Sequence, residues 1–477
     1  MARTAPHCRE LSRHILITAI VVTPVFALAQ GTAAPPTDVH HYPLPTYEED
    51  WRSLYKVDRT DVWDPVKFVP LSSDGTTSLS FGGEARLTYE RFGNQNFGLT
   101  PPDPDGYLLQ RYLLHTDVRA GSRVRLWTEF NSGLENGRVG GPRPVIDQDK
   151  LDLHQAFVDV TIGATAQPAV VLRVGRQEIE FGAGRMYALR EGPNVPLSFD
   201  GMRAIVHAGR WRLDGWAARP VINMPAVLDD RSHSGFDVWG VYARRVATRP
   251  RSVGLDVYYM GLIRDAAQFN QGTANETRHT FGARVWQQGE WAYDAETMFQ
   301  VGRFGSADIR AWRFVTEGSH RLTDAAWSPR LGAVLDVASG DKNPADPNLQ
   351  TFNALFQSGT YSGRAQLLDP SNSIRFEPTL TLVPARHLFV SGGWGFYWRE
   401  SAHDALYGIP GQVVVPSNGV TDLYEGSRPT VQIDWQLTRH LSAHINYIYA
   451  FNGLFEQKSV GATSTMSYVS PWLTYRF

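Results

Sequence analysis

Arginine side chains give this sequence its clearest chemistry, the binding of anions. The densest stretch is "RVGRQEIEFGAGRMYALREGPNVPLSFDGMR", residues 173–203. A guanidinium stays charged at every physiological pH and binds a carboxylate through two parallel hydrogen bonds. The same stretch carries Glu178, Glu180, Glu191 and Asp200, so its net charge is close to neutral. Two interpretations therefore stay open for each arginine, contact with an anionic ligand or pairing with a neighbouring carboxylate that only stabilises the protein.

The other reactive residue types do not form a recognisable site. His115, His154, His207 and His444 are scattered and lack metal-binding spacing. The stretch "ASGDKNPADPN" lacks the regular ligand series and terminal glutamate of an EF-hand, so we interpret it as a solvated loop. No nucleophile elbow, P-loop or dinucleotide-binding motif is present. The sequence predicts no catalytic residues, no metal site and no cofactor.

Alternation of apolar and polar residues, the pattern of β-strands, runs from Leu79 to the end of the chain. Clear examples are "SLSFGGEARLTYERF", "EWAYDAETMFQV", "TVQIDWQL" and "LSAHINYIYAF". Tight turns alternate with long polar loops, which include 131–150, 181–198, 338–363 and 399–427. Outer-membrane barrels have short periplasmic turns and longer external loops. The pattern predicts an all-β fold, an up-and-down antiparallel transmembrane β-barrel of about 18 strands, over residues 78–477.

Both ends of the chain fit an outer-membrane barrel. Residues 1–29 combine three arginines, a short apolar run and small residues before position 30, which predicts a cleaved signal peptide. Residues 30–77 are Pro-rich and predict a periplasmic N-terminal arm. The final "SYVSPWLTYRF" predicts the closing strand, and its terminal aromatic resembles the signal read by the outer-membrane assembly machinery. The net charge of −2 gives no reason to invoke nucleic acid.

Several stretches resemble the alginate export family of outer-membrane barrels. The opening of the family is similar to "DVWDPVKFVPL" and "LSFGGEARLTYERF", its central block to "LHQAFVDV", "LRVGRQEIEFGAGR" and "SFDGMR", and its second half to "ASGDKNPADPNLQTFNALF", "WRESAHDALYGIPG" and "YRF". This resemblance implies a monomeric barrel in the outer membrane of a Gram-negative bacterium. It also implies an arginine-lined constriction that passes an anionic exopolysaccharide, and loops that gate it.

The candidate pore-lining residues fall into two sets. Because 173–203 matches the family's central block, the first set is Arg176, Arg185, Arg190, Asp200 and Arg203. Alternation adds a second set at positions expected to face inward: Arg86, Arg111, Arg119, Arg125 and Arg284. Cations that offer many weak sites let an anionic polymer pass without trapping it.

The predicted function is a passive channel, with no enzymatic activity, that exports an anionic, alginate-like exopolysaccharide with the help of periplasmic export partners. The alternative in the same class is a porin-like uptake channel for small anionic or sugar-derived solutes. An outer-membrane hydrolase has only the adjacency of Ser319 and His320 to support it, and neighbours in a strand face opposite sides. A secreted binding protein would need to bury the apolar strand faces internally, whereas a membrane barrel turns them to lipid.

Overall fold

The computed structural model describes residues 42–477 except 101, 164–168, 246, 248–251, 324, 359–364, 366–367, 369, 409–410 and 463. The predicted signal peptide, 1–29, and the first part of the predicted arm lie outside the described residues. Within them, 18 long strands pair antiparallel with their chain neighbours, and the last strand pairs with the first. The closed up-and-down barrel that the alternation predicted is therefore confirmed.

The barrel strands are numbered β1–β18 in chain order. They are Ser78–Gly93, Tyr107–Ala120, Val124–Asn136, Asp149–Ile162, Ala169–Gln177, Phe199–Ala208, Trp211–Ile222, Phe236–Arg245, Gly254–Phe269, Gly272–Gln287, Trp291–Phe304, Ala307–Arg321, Arg330–Ala338, Ser373–Ala385, Leu388–Trp398, Tyr424–Gln436, Leu441–Asn452 and Met466–Arg476.

Outside the wall lie two short α-helices, Asp64–Lys67 (α1) and Leu454–Val460 (α2). The remaining short elements are the 3-10 turns Thr46–Glu48, Arg52–Leu54 and Gln95–Gly98 and the strands Val69–Pro70, Arg231–Ser232, Asn348–Leu349, Leu406–Gly408 and Gln412–Val415. None of the described helices is long and apolar enough to cross a membrane.

Short turns collect at one end of the barrel and most long connections at the other. The first is the turn end, which faces the periplasm, and the second is the loop end. The four long loops predicted from the sequence all lie at the loop end. Two loop-end connections differ from the expected alternation, because 270–271 and 305–306 are two-residue hairpin turns. Gly305 has a φ of +56°, which glycine adopts without steric cost.

Alternation along each strand sorts side chains between lipid and lumen. On β11, Phe299 and Val301 are 57% and 47% exposed, whereas Met298 and Gln300 are buried. Large apolar side chains are exposed in the same way around the barrel, as a lipid-facing belt requires. The aromatic rings of β15, at 394, 396 and 398, lie in a row with centroids 6.1 Å and 6.4 Å apart.

The largest buried apolar cluster lies inside the barrel. Phe181 and Tyr187 of the β5–β6 loop and Phe352 and Phe356 of the β13–β14 loop pack against inward residues of β6–β9 and β11–β13. The rings of Tyr187 and Phe356 are 5.2 Å apart. The two loops therefore fold into the lumen and occupy the side bounded by these strands.

The seam between β1 and β18 closes the barrel at the last residue. Gly83 N donates to Phe477 O at 3.0 Å, and Phe477 N donates to Gly83 O at 3.1 Å. A Cβ on Gly83 would lie 2.9 Å from the Phe477 ring, so the glycine leaves room for that ring. Trp63 packs on the same ring at 4.3 Å. Pro471, which has no N–H to donate, falls in the one gap of the β1–β18 pairing.

We expect deletion of Phe477 to weaken this seam, because it removes two backbone hydrogen bonds and the contact with Trp63. Such bonds contribute roughly 1 kcal/mol each, so the free energy of unfolding should fall by about 2 kcal/mol or more. The temperature at which the folded band disappears on semi-native electrophoresis measures the change. Phe477→Leu keeps the backbone bonds and should lower that temperature less. An equal drop for both variants would contradict a seam held by backbone pairing.

Candidate functional site

Three arginines and two glutamates meet where the β5–β6 loop reaches the wall of β1, β2 and β18. Arg111 Nη2 lies 2.7 Å from Glu84 Oε1 and 2.9 Å from Glu191 Oε2. Arg476 Nη2 lies 2.8 Å from Glu84 Oε2, and Arg86 pairs with the Glu191 carboxylate. We call these five residues the wall–loop cluster. Three guanidinium groups face two carboxylates, so the cluster carries one positive charge in excess.

Strand register brings the wall–loop cluster together. Arg86 and Arg111 are directly opposite each other on β1 and β2, and Glu84 is opposite Arg476 on β18. Two like charges directly opposite each other repel, and burial makes the repulsion stronger. The Glu191 carboxylate compensates because the β5–β6 loop places it within reach of both arginines. The loop is therefore held to this wall by charge.

The wall–loop cluster borders a cavity between the β5–β6 loop and β1 and β18. Arg86 and Arg111 are buried, but the side chains of Arg476 and Glu191 keep 21% and 24% exposure. The cavity is lined by Arg86, Thr88, Glu90, Gly192, Tyr468, Ser470 and Trp472. Of the five cluster residues Arg86 lines this cavity, and the carboxylate residue Glu90 lines it as well.

A second cluster anchors the β5–β6 loop to the opposite wall. Arg185 lies 2.8 Å from Asp294, 2.7 Å from Glu296 and 2.6 Å from Glu317. Arg284 bonds to Asp294 and, at 2.9 Å, to Asp256. Two guanidinium groups face four carboxylates here, so the excess charge is negative. Arg185 is buried, and its arrangement fits bracing of the loop better than contact with an anion.

Two further candidates lie beside these clusters. Arg203 faces inward on β6, donates to Asp214 at 2.8 Å and lies over the ring of Phe181 at 5.0 Å. Arg190 lies in the β5–β6 loop next to Glu191, is half-buried and has a φ of 54°. Arg212 of β7 also pairs with Asp214, at 2.9 Å, so Arg203 and Arg212 share one carboxylate.

Arg176 and Asp200 face outward, which corrects the prediction that they line the pore. They are directly opposite each other on β5 and β6, and Arg176 Nε lies 2.8 Å from Asp200 Oδ1. They share their face with Val174 and Met202, which are 60% and 61% exposed. The density of arginines suggested a pore site, but alternation places only every second residue of a strand in the lumen. The pair lies on the outer surface near the loop end.

Arg119 and Arg125, predicted pore residues at the turn end, hold a segment of the N-terminal arm. Arg119 Nη2 donates to Glu49 O at 3.1 Å, and Arg125 Nη2 donates to Tyr47 O at 2.8 Å. Both arginines also pair with Asp117, at 2.9 Å and 2.7 Å. We call residues 46–51 the plug segment, because these contacts place it inside the turn end of the barrel.

Side chains of the plug segment complete its attachment. Thr46 Oγ1 donates to Glu129 Oε2 at 2.7 Å. The Tyr47 ring lies 4.5 Å from the Arg173 guanidinium and packs edge-on against Phe157 at 5.8 Å. The sequence predicted an irregular arm here but gave no sign that it enters the barrel, since every partner is far away in the chain.

Glu49 is the charged centre of the plug segment. Its carboxylate lies 2.8 Å from Lys67 Nζ and 3.5 Å from His115 Nε2. A Cβ on Gly82 would lie 2.3 Å from both nitrogen atoms, so only glycine leaves room for this group. Burial alone would raise the pKa of Glu49, but the neighbouring His115 and Lys67 lower it to about 2.

Ser319 and His320, the pair on which the hydrolase alternative rests, do not meet. Ser319 lies on the inward face of β12, where its hydroxyl accepts a hydrogen bond from Arg330 at 2.8 Å. His320 lies on the outward face and stacks on Trp291 at 4.0 Å. The two side chains are thus on opposite sides of the wall.

We expect Glu49→Gln to loosen the plug segment and raise the conductance in planar bilayers at neutral pH, because it leaves Lys67 buried without its carboxylate. In the unmodified protein the pKa of Glu49 is lowered, so its ionised carboxylate stabilises attachment of the plug segment. This contribution is complete at a pH above about 4.3, the pKa of a glutamate in the unfolded chain. That contribution is lost as the pH falls towards about 2. Conductance should therefore rise across this window in the unmodified protein and change less in the variant.

Glu48→Gln is the matched control, because Glu48 is the exposed neighbour in the same segment. It should conduct as the unmodified protein does. Equal conductance of Glu48→Gln and Glu49→Gln at neutral pH would contradict a plug held by Glu49.

Solved structures similar to this one are outer-membrane porins. OpdK of Pseudomonas aeruginosa with vanillate aligns with a TM-score of 0.52 and 12% identity, covering 84% of this chain and 98% of that chain. A BenF-like porin from Pseudomonas fluorescens Pf-5 aligns with a TM-score of 0.55 and 12% identity, covering 84% of this chain and 98% of that chain. P. aeruginosa OccK2 (OpdF) in complex with glucuronate aligns with a TM-score of 0.53 and 12% identity, with the same coverage of both chains. Identities this low show the fold alone, a closed β-barrel like that of these porins.

Sequence comparison identifies the family. No curated protein sequence matches the chain. The model of the family described as "Alginate export" matches residues 77–470, which is the barrel from just before β1 into β18. The match covers far more than half of the sequence, and this chain therefore belongs to the alginate export family.

Proposed function

We propose that this outer-membrane channel passes anionic carbohydrate, and that the wall–loop cluster is where it contacts the carboxylates of its substrate. Export of an alginate-like exopolysaccharide is the form that family membership favours. The observation that carries the proposal is the excess positive charge of this cluster beside a cavity. Monomeric state and periplasmic export partners stay predictions.

The arrangement suits a weak, exchangeable contact. Arg476 already has two carboxylate partners, Glu84 at 2.8 Å and Glu191 at 3.3 Å. A substrate carboxylate that reached the exposed part of Arg476 would compete with Glu191 for this guanidinium, so binding would replace an existing ion pair and its net gain would be small. Weak contacts of this kind let a polymer advance.

The remaining inward candidates take a supporting role in this proposal. Arg185 and Arg284 hold the β5–β6 loop, which in turn delivers Glu191. Arg119 and Arg125 hold the plug segment, which must leave the turn end before a chain can enter there. Arg86, Arg111 and Arg476 belong to a group with excess positive charge, and Arg86 connects that group to the cavity.

A second candidate function is uptake of small anionic solutes. It is favoured by two of the similar structures, which hold vanillate and glucuronate. Glucuronate is a single sugar acid, so it offers in monomeric form the carboxylate that a polyuronate repeats. The wall–loop cluster would contact either substrate through the same guanidinium group.

We expect the unmodified protein to conduct anions better than cations across a KCl gradient, and Arg476→Gln to reduce that preference. Removing one charge near the cavity changes ion energies by about 1 kcal/mol, or roughly fivefold in the permeability ratio. Arg176→Gln is the control, since its pair lies on the outer surface. A cation-selective unmodified protein, or equal reversal potentials for the two variants, would contradict the proposal.

Substrate length separates the two functions. If the channel exports polymer, oligouronates should block the current of the unmodified protein, and the block should weaken in Arg476→Gln. If it takes up monomers, liposomes that contain the protein should swell in glucuronate while oligomers leave the current unchanged.

A further inference from the structure

An acidic cluster at the loop end brings together residues from two distant parts of the chain. Asp149 and Asp152 lie at the start of β4, and Asp230 lies in the β7–β8 loop. One carboxylate oxygen of each lies within 4.8 Å of the others. Asp149 and Asp152 are buried, and Asp230 is half-buried. Arg176, the cation beside this group, is already paired with Asp200 at 2.8 Å and 3.0 Å.

A buried carboxamide beside the cluster has an oxygen without a partner. Asn131 of β3 is 1% exposed, and its Nδ2 lies 3.1 Å from Asp149 Oδ2. The carboxamide is thus turned to the cluster, while its Oδ1 and also Asp149 Oδ1 have no hydrogen-bond partner. Buried polar atoms of this kind nearly always have one. A cation among the three carboxylates would supply the partner that both oxygens lack.

We propose that Asp149, Asp152, Asp230 and the amide oxygen of Asn131 bind a calcium ion. All four are oxygen ligands, which Ca²⁺ takes in sets of six to eight at flexible angles. Mg²⁺ is less suited, because it demands near-octahedral geometry and keeps much of its water. Asp229 Oδ1, buried and also without a partner, lies one residue along the same loop.

Such an ion would tie the β7–β8 loop to the wall. Asp152 Oδ2 already accepts hydrogen bonds from Asp229 N at 2.8 Å and Asp230 N at 3.2 Å. Leu228 N donates to Leu151 O at 2.9 Å, so loop and strand run side by side. The cation adds a link between this loop, β4 and β3. The sequence could not indicate the site, because its residues are spread over 131–230 without motif spacing.

The test is calcium binding to the full chain folded in detergent, first stripped with EGTA and then dialysed against CaCl₂. We expect about one bound ion per chain, with a dissociation constant of about 10⁻⁴–10⁻³ M as in extracellular calcium modules. Asp230→Asn should lose that ion. Asp105→Asn, which changes an exposed aspartate of the β1–β2 loop, should keep it.

A second measurement reports on the loop itself. Arg231 is exposed next to Asp230, so trypsin should cleave there more slowly in CaCl₂ than in EGTA. The protection should be absent in Asp230→Asn. If that variant does not fold, Asp149→Asn replaces it with the same expectation.

Three results would overturn the proposal. They are no calcium bound by the unmodified protein, unchanged binding in Asp230→Asn, and equal loss in Asp105→Asn. Equal protection by MgCl₂ at the same concentration would overturn the assignment to calcium.

Discussion

A barrel of 18 strands encloses a lumen too wide for its own side chains to fill, and the rest of the structure depends on this constraint. On one side the β5–β6 and β13–β14 loops fold inward and bury an aromatic cluster against the wall. At the turn end the plug segment enters and places Tyr47 against Arg173 and Phe157. The β15–β16 and β17–β18 loops pack on inward strand residues as well, so the wall is a frame whose interior these segments narrow.

Because loops fill part of the lumen, they determine which arginines can contact a solute. A charge that a loop covers must be paired, because burial without a partner is costly. Arg185 is the clear case, with three carboxylates around a buried guanidinium. Arg476 differs, since a fifth of its side chain stays exposed and its cluster has more cations than anions. In the proposed function, anion preference would come from this small excess, and the number of arginines says little about it.

Whether the sequence could predict a feature depends on how far apart in the chain its interacting residues lie. The strands, the closing role of Phe477 and the long loops follow from local alternation and loop length, and all agree with the structure. Arg176 and Asp200 were misplaced because arginine density was weighed above the same alternation. Arg476 went unnoticed in the terminal strand, although its position opposite Glu84 follows once β18 is paired with β1.

Partner choice across the lumen could not be predicted in this way. Arg119 and Arg125 were expected to face a solute, yet they donate to main-chain oxygens of the plug segment. Arg185 and its carboxylates are more than 100 residues apart in the chain. No local pattern specifies such contacts, because they depend on how the loops fill the space that remains.

The plug segment and the wall–loop cluster both contact inward-facing arginines of β2, at successive positions along the strand. Arg111 belongs to the cluster, and Arg119, on the same inward face, belongs to the turn-end mouth. Arg119 and Arg125 share the wall carboxylate of Asp117, and each donates to a main-chain oxygen of the plug segment, that of Glu49 or Tyr47. These carbonyl groups occupy positions where the oxygen atoms of an anionic chain could bind. Withdrawal of the plug segment would uncover a mouth with excess positive charge, so the event that opens the turn end also creates its first contact for the substrate.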